Sequence, residues 1–419
     1  MKFKLLLTTT LFASALAGNA QNRNVAYAIT GDGNKDFMWM NIRQVDLNTG
    51  AVTKTLFERS KTNFVLTDVN SNVSSNQETA GKVNIFSDKS YPTATFVAAA
   101  AMDNKSNKLF FSPMRLSELR WLELSGNNKT PQFYSMESSV LKFGDMNDEA
   151  NHLTRMVIGA DGNGYAMTND GNHLIRFTTG KLPVLTDLGN IVDADNSGAV
   201  SIHNKCTSWG GDMIADAFGK LYVISANKHV FEIDIATRIA THKGQITGTP
   251  AAYTANAAAV NADGDIIITS ANYFEGYYVV KLADLTATKL EGSDAKYNAS
   301  DLACGNLLLE KEAAKANQLA TVTPNLKRVL TAASSSKVFP NPVTSSSFNI
   351  LLDGQKDGRY TVSLSDLQGR VLQTKSFTVI KSAQTEQVTL VNRPVKGVYM
   401  VKVMNAKNQV VITEKIIVE

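Results

Sequence analysis

Three stretches of this chain are variants of one pattern: "VIGADGNGYAMT" (Val157–Thr168), "IADAFGKLYVIS" (Ile214–Ser225) and "VNADGDIIITS" (Val260–Ser270). Each runs from an apolar strand end through a small turn into a second strand, and Gly162, Gly219 and Gly264 hold the same place in the turn. A residue without Cβ reaches positive φ at little cost, so the glycine marks a tight reversal between antiparallel strands. "FVAAAAMDNKSNKLFFS" (Phe96–Ser112) is a looser fourth copy with a longer polar turn. Self-similarity of this kind restricts the chain to architectures in which each unit buries its apolar faces against its neighbours.

A third strand follows each pair ("LRWLELS", "HLIRFTTG", "HVFEIDIAT", "YYVVKLADLT"), and a fourth follows a short turn, as in "IATRIATHKG". The N-terminal segment supplies only later strands, "VAYAIT", "MWMNIRQVDLNTG" and "AVTKTLF", and has no first strand of its own. The missing one is offered by "NASDLACGNLLLEK", residues 298–311. Four-stranded antiparallel sheets set radially, with the two chain ends closing one of them, describe an all-β fold, the β-propeller. Small residues in "FVAAAAM" and "ANAAAV" suit strands crowded at a central axis, and "DLNTG" and "DIATR" resemble the outer hairpins of quinoprotein-like propellers. First strands near Phe96, Met156, Met213, Ala258 and Leu302 give five blades. Six is the alternative if 58–92 hides another, although its Ser/Asn/Thr content reads as an inserted loop. An open sandwich is the remaining competitor.

The N-terminus, "MKFKLLLTTTLFASALAGNAQ", has two lysines, a short apolar core and small residues before the Ala20–Gln21 bond, the layout of a cleaved secretory signal over residues 1–20. No later segment has transmembrane length. The formal charge of +4 lies at the two ends, while residues 21–336 hold 29 Lys/Arg against 32 Asp/Glu. That balance offers no footprint for nucleic acid. Cys206 and Cys304 lie far apart; export permits a bridge between them, and spacing does not decide it.

The propeller is expected over 21–313 and a polar, alanine- and serine-rich linker over 314–336, with a short helix possible within it. Strands then resume in "SFNILL", "GRYTVSLSDLQGRVLQTKSF", "TEQVTLV", "KGVYMVKVMN" and "QVVITEKIIVE", an immunoglobulin-like β-sandwich of about 80 residues. "FPNP" (Phe339, Pro340, Asn341, Pro342), "GRYTVSLSDLQGRV" (with Gly358, Tyr360, Gly369 and Arg370), "VKGVYMVKV" (with Gly397 and Tyr399) and the closing "TEKIIVE" together resemble the type A C-terminal sorting domain of the type IX (Por) secretion system of Bacteroidota, over 337–419. That family usually has Tyr where this chain has Phe339. The resemblance implies passage through periplasm and outer membrane, recognition by the outer-membrane translocon, and cutting by its processing sortase within 332–337. The product would be released or fixed to the cell surface.

The chemistry of the propeller is less legible. "DADNSGAVSIHN" sets Asp193, Asp195 and Ser197 at positions 1, 3 and 5 of a loop with Gly198 at position 6, as in a calcium loop. Position 12 is Asn204, not the bidentate glutamate, and a solvated loop fits as well. Asp212 and Asp301 stand at the beginnings of first strands, from which they could enter an axial tunnel and hold a metal or act as acid and base. Aspartates so placed more commonly bind neighbouring backbone. His173 and His229 head equivalent third strands and read as repeat positions. Trp39 and Trp121 read as core within third strands, Trp209 as exposed at the tunnel mouth. No assigned catalytic residue follows. The expected activity is binding of a carbohydrate or protein ligand, with a secreted glycosidase or metal-assisted hydrolase as the alternative.

Overall fold

The computed structural model describes residues 23–322 and 337–418, apart from 34–35, 81–83, 85, 127–128, 196–197, 199, 293–296, 354, 367–368, 381–382, 392–393 and 408. Ala20, Gln21, Ser197 and the linker stretch 323–336 lie outside the described residues. The chain divides into two compact units, 1–313 and 314–419.

In the first unit the described residues form five sheets. Blade 1 has the order Ala299–Ala303, Val25–Thr30, Asn41–Asp46, Val52–Phe57. Its closure joins the two ends of the repeat region, with Ala28 opposite Leu302 and Ile29 opposite Asp301. Blade 2 begins at Val97–Asp103, blade 3 at Leu153–Ile158, blade 4 at Asp212–Ala215 and blade 5 at Ala257–Val260, each followed outward by three antiparallel strands. The first strands touch in the order blade 1, 2, 3, 4, 5 and back to 1, so the ring is closed.

Both faces of each sheet are covered by a neighbour, which explains the continuous apolar runs. Each of the five interfaces has its own cluster. Ile42 and Phe57 meet Phe111 and Phe133 between blades 1 and 2. Trp121 meets Phe177 between 2 and 3, Tyr165 meets Phe231 between 3 and 4, Tyr222 meets Tyr253 between 4 and 5, and Val45 meets Ile267 between 5 and 1. Ala98 to Ala101 and Ala257 to Ala259 are buried on the first strands, where the converging backbones leave little side-chain volume. The turn glycines have φ of +78°, +86° and +89° at Gly162, Gly219 and Gly264, and a Cβ at any of them would meet open space. Backbone conformation is therefore what requires glycine there.

Residues 58–92 are not a sixth blade, nor simply a loop. Val65–Asp68 and Val73–Asn76 form a hairpin added to the outer edge of blade 2, where Val65–Asp68 runs parallel to Gln132–Glu137. Blade 4 gains Val192–Asp193, parallel to Ile239–Gln245, in the same way. Arg120, wholly buried, holds the inserted segment. Its Nη1 donates to the carbonyls of Tyr91 (2.6 Å) and Pro92 (2.7 Å), its Nη2 donates to that of Lys89 (2.7 Å), and Nε donates to Glu118 (2.9 Å). Arg120→Met is expected to destabilise the propeller by about 3–5 kcal/mol, because it strands the buried Glu118 carboxylate without its counter-charge. Urea denaturation would measure this, and a loss below about 1 kcal/mol would show that the inserted segment does not depend on that anchor.

The segment after Ala303 is not strand throughout: Leu308 makes one parallel bridge to Asp216, and a helix, Glu310–Val322, follows.

In the second unit, Lys337–Phe339, Ser347–Asp353 and Ala383–Thr389 form one sheet, and Val371–Val379, Gly358–Ser365, Gly397–Asn405 and Val410–Val418 the other. Phe348, Ile350, Tyr360, Val362, Tyr399, Val401, Val403 and Ile416 pack between them. Alternation along Gly397–Asn405 buries Tyr399, Val401 and Val403, as the period of two requires. The first strand stops at Phe339, where Pro340 removes the next donor. Asn341 then clasps the final strand: its Nδ2 donates to the Lys415 carbonyl (2.8 Å) and its Oδ1 accepts from Ile417 N (2.9 Å).

Candidate functional site

Antiparallel order fixes which loops share a face. Each first strand starts on one face of the ring, so the connections entering first strands and those joining second to third strands all emerge there. The chain reaches blades 2, 3, 4 and 5 on this face through residues 58–96, 138–152, 188–211 and 246–256. On the opposite face the turns joining first and second strands cover only 104–107, 159–163, 216–219 and 261–265. Irregular chain, which carries function on rigid scaffolds, is therefore concentrated on one face.

Beneath that face the first strands are joined by a buried polar hub. Asp212 and Asp301 are both buried, at 1% and 0% exposure, so they line no open tunnel. Asp212 Oδ1 accepts from Met213 N (2.7 Å), and Oδ2 accepts from Ala258 N (2.7 Å) and Leu302 N (3.3 Å). Asp301 Oδ2 accepts from Ala100 N (2.9 Å), while Oδ1 receives no hydrogen bond from the protein. The two carboxyls thus join the first strands of blades 4, 5, 1 and 2. Arg155, on the first strand of blade 3, supplies a nearby positive charge to Asp212; its Nη2 donates to the carbonyls of Gly210 (2.9 Å) and Ser208. Burial pushes Asp212 up to about 8, against the pull of its backbone donors and Arg155. Burial and the adjacent Asp212 push Asp301 well above the carboxylate range. With three N–H donors and a guanidinium favouring charge on Asp212, the retained proton belongs on Asp301, beside Asp212. These aspartates are bound to neighbouring backbone, and their oxygens are not presented to a substrate.

The other expected residues are placed as follows. Both oxygens of Asp193 are committed inside the loop, accepting from Ser201 Oγ (2.6 Å) and Ile202 N (2.9 Å), while Asp195 is exposed. Among the described residues no three His, Cys, Asp or Glu side chains gather as a metal site. Cys206 is exposed and Cys304 partly buried, and both are free thiols; Cys304 Sγ accepts from Val260 N (3.2 Å). Trp121 is core, stacked on Tyr134. Trp39 precedes its strand and packs at the edge of the core between blades 1 and 2. Trp209 lies on the loop face, half-buried, its Nε1 donating to the His203 carbonyl (3.0 Å) and Lys205 above its ring.

The loop face also carries a patch absent from the sequence reading. Phe37 (50% exposed) and Met38 stand on the 31–40 connection, and Phe86 on the 58–96 connection. Arg59 ties the two together: Nη2 donates to Asp32 (2.7 Å) and Asp36 (2.9 Å), and the guanidinium lies 5.8 Å from the Phe86 ring centre. Asn41 braces the same corner, donating to Asp32 Oδ1 (2.7 Å) and accepting from Arg59 N (2.7 Å). The available signal was "DFMW" after a polar turn, apolar residues where no strand alternation continues.

In the second unit the motif residues divide by exposure. Tyr360 and Tyr399 are core, their hydroxyls donating to the Lys356 (2.8 Å) and Val395 (2.7 Å) carbonyls. Gly369, with φ of +82°, turns the hairpin, and Phe339 and Arg370 face solvent. Arg370, Gly397 and Tyr399 line a groove of about 500 Å³ together with the exposed Leu372, Val391 and Val395.

Fold and site together define a class: a five-bladed β-propeller with one loop-rich face, followed by a small β-sandwich. Residues 337–419 match the secretion system C-terminal sorting domain, the Por secretion tail. This marks a protein exported through periplasm and outer membrane to the cell surface or the medium. Among the described residues no helix is long and apolar enough to cross a membrane. No curated protein matches the chain as a relative. Solved structures similar to it include PorZ, a surface component of the type IX secretion system of Porphyromonas gingivalis (11% identity, 92% of this chain and 51% of that one, TM-score 0.28). Others are a streptogramin B lyase (11%, 66% and 86%, TM-score 0.34) and a quinoprotein alcohol dehydrogenase-like protein of Bacteroides thetaiotaomicron (10%, 67% and 67%, TM-score 0.29). The chain spans about half the length of the first of these.

Proposed function

We propose that the propeller is an exported binding module that takes a carbohydrate or protein ligand on its loop face, at the patch of Phe37, Met38 and Phe86 around Arg59. The observation that carries this reading is the pairing of exposed Phe37, Met38 and Phe86 on the loop face with carboxylates at the axis that are buried and bound to backbone. Aromatic rings rimmed by a guanidinium and carboxylates suit both sugar stacking and protein contact. A glycosidase centred on Asp212 and Asp301 would need those oxygens to reach a glycosidic bond, and both are buried and bound to backbone. The sorting domain is taken to be recognised by the outer-membrane translocon through surface it leaves exposed, Phe339, Arg370 and the Leu372–Val391–Val395 groove, and then cut by the sortase in the linker.

The exported protein applied to glycan, polysaccharide and surface-protein arrays should retain a discrete set of ligands. Phe37→Ser with Phe86→Ser should weaken retention at least about tenfold, since each ring contributes one to a few kcal/mol at a binding centre. Retention unchanged by the double substitution would remove the patch from the reading. Turnover of a retained glycan, abolished by Asp301→Ala in a chain that still folds, would replace binding with hydrolysis.

A further inference from the structure

His229 and His242 face each other across neighbouring strands of blade 4, with His229 Nδ1 3.1 Å from His242 Nε2. The register explains the meeting. Phe231 stands opposite His242, His229 stands opposite Gln245, and an irregularity between Val230 and Phe231 shifts His229 toward His242. The rings are half-buried at the outer part of the blade, inclined at 51°, and His242 is backed by Phe231.

The separation is informative. Imidazole nitrogens bind first-row divalent ions at about 2.0–2.1 Å, so two nitrogens on one ion stand about 2.9 Å apart at a right angle and about 3.3 Å apart at a tetrahedral angle. The observed 3.1 Å lies between these. Nitrogens at that separation need no translation to share one ion, only a rotation of the two rings that swings their lone pairs from each other onto it.

We propose that His229 and His242 form a two-imidazole site for a divalent first-row transition-metal ion, copper(II) most tightly, with water in the remaining positions. Nitrogen ligands in a tetragonal arrangement suit copper(II), which also heads the affinity order of these ions. On binding, the ring that donates the mutual hydrogen bond moves its proton to its other nitrogen, so both facing nitrogens present lone pairs and no net proton is released. The site is independent of the aromatic patch over blade 1.

The test is copper(II) titration of the full exported chain, followed by electron paramagnetic resonance. One ion per chain with two imidazole nitrogens is expected. His229→Gln and His242→Gln should each lower affinity about a hundredfold, the loss expected when the second of two linked contacts is removed, and leave a one-nitrogen signal. His173→Gln, a change at a ring paired with Asp187, should have no effect. Zinc should raise the melting temperature of the natural chain and not of either His229 or His242 variant, a comparison made within each variant and thus indifferent to its starting stability. Equal copper affinity in the natural chain and either variant, or an equal zinc-induced rise in all, would overturn the proposal.

Discussion

A chain ending at Ser336 is expected to fold and to remain in the periplasm, absent from both cell surface and medium. The propeller should survive the truncation because, among the described residues, the ring is sealed by Ala299–Ala303 on Val25–Thr30 and its five interface clusters end at Leu309. The sandwich has a separate core running from Val338 to Val418, which shares no residue with those clusters. Loss of export would then report loss of the sorting signal, not misfolding. Fractionation with surface proteolysis, alongside a melting curve of the periplasmic protein, makes the measurement. Folded, truncated protein outside the outer membrane at the level of the natural chain would show that residues 337–419 do not direct this export.

Asp301→Asn should stabilise the propeller at pH 8 and flatten its stability between about pH 5 and 8. The reason is the proton held at the hub. In the unfolded chain an aspartate releases its proton near 3.8, whereas burial holds both Asp212 and Asp301 well above that in the folded chain. A raised folded-state value means that folding takes up a proton through this window. The stabilisation it brings is complete below the unfolded value and is lost as pH rises through the folded one. One proton corresponds to a slope of about 1.4 kcal/mol per pH unit. An asparagine at 301 can accept from Ala100 N and donate to Asp212 at every pH, so that slope should disappear. Asp234, which its hydrogen bond to Lys220 lowers to about 2, acts in the opposite sense and only in acid, and the substitution leaves it unchanged. Asp212→Asn should behave differently. It turns one acceptor oxygen into an N–H donor among the N–H groups of Met213, Ala258 and Leu302, at a cost of about 3 kcal/mol or more. Parallel stability–pH curves for the natural chain and Asp301→Asn would eliminate the shared proton.

Much of the architecture was readable because it repeats. Glycine at a fixed offset, one strand before it and three after, reports local backbone geometry, and local geometry is what a sequence expresses most directly. The first strands inferred near Phe96, Met156, Met213, Ala258 and Leu302 are the five that meet at the axis. The hairpin at Val65–Asp68 and Val73–Asn76 escaped notice because it is short, polar and exposed on its outer strand, without the apolar alternation that marks a half-buried one. Arg43, Arg120 and Arg155 were also missed. Each is a charged residue inside an apolar strand, and whether carbonyls or carboxylates wait to receive it depends on chain distant in sequence.

The candidate sites show the same division. Asp212 and Asp301 could be placed near the axis from their strand positions, but not how they are buried there, since that is settled by Ala100 reaching Asp301 from blade 2 and by Ala258 and Leu302 reaching Asp212 from blades 5 and 1. Phe37 and Phe86 are 49 positions apart and share a surface only because Arg59 pins two loops together. By itself, then, the sequence determined strand order, ring closure and the export address, because strand patterning, turn glycines and terminal motifs act through neighbours along the chain. Only the tertiary structure decided which polar groups are sealed at the axis, which rings reach solvent and which two histidines touch, because burial and charge depend on distances between segments that the order of residues does not contain.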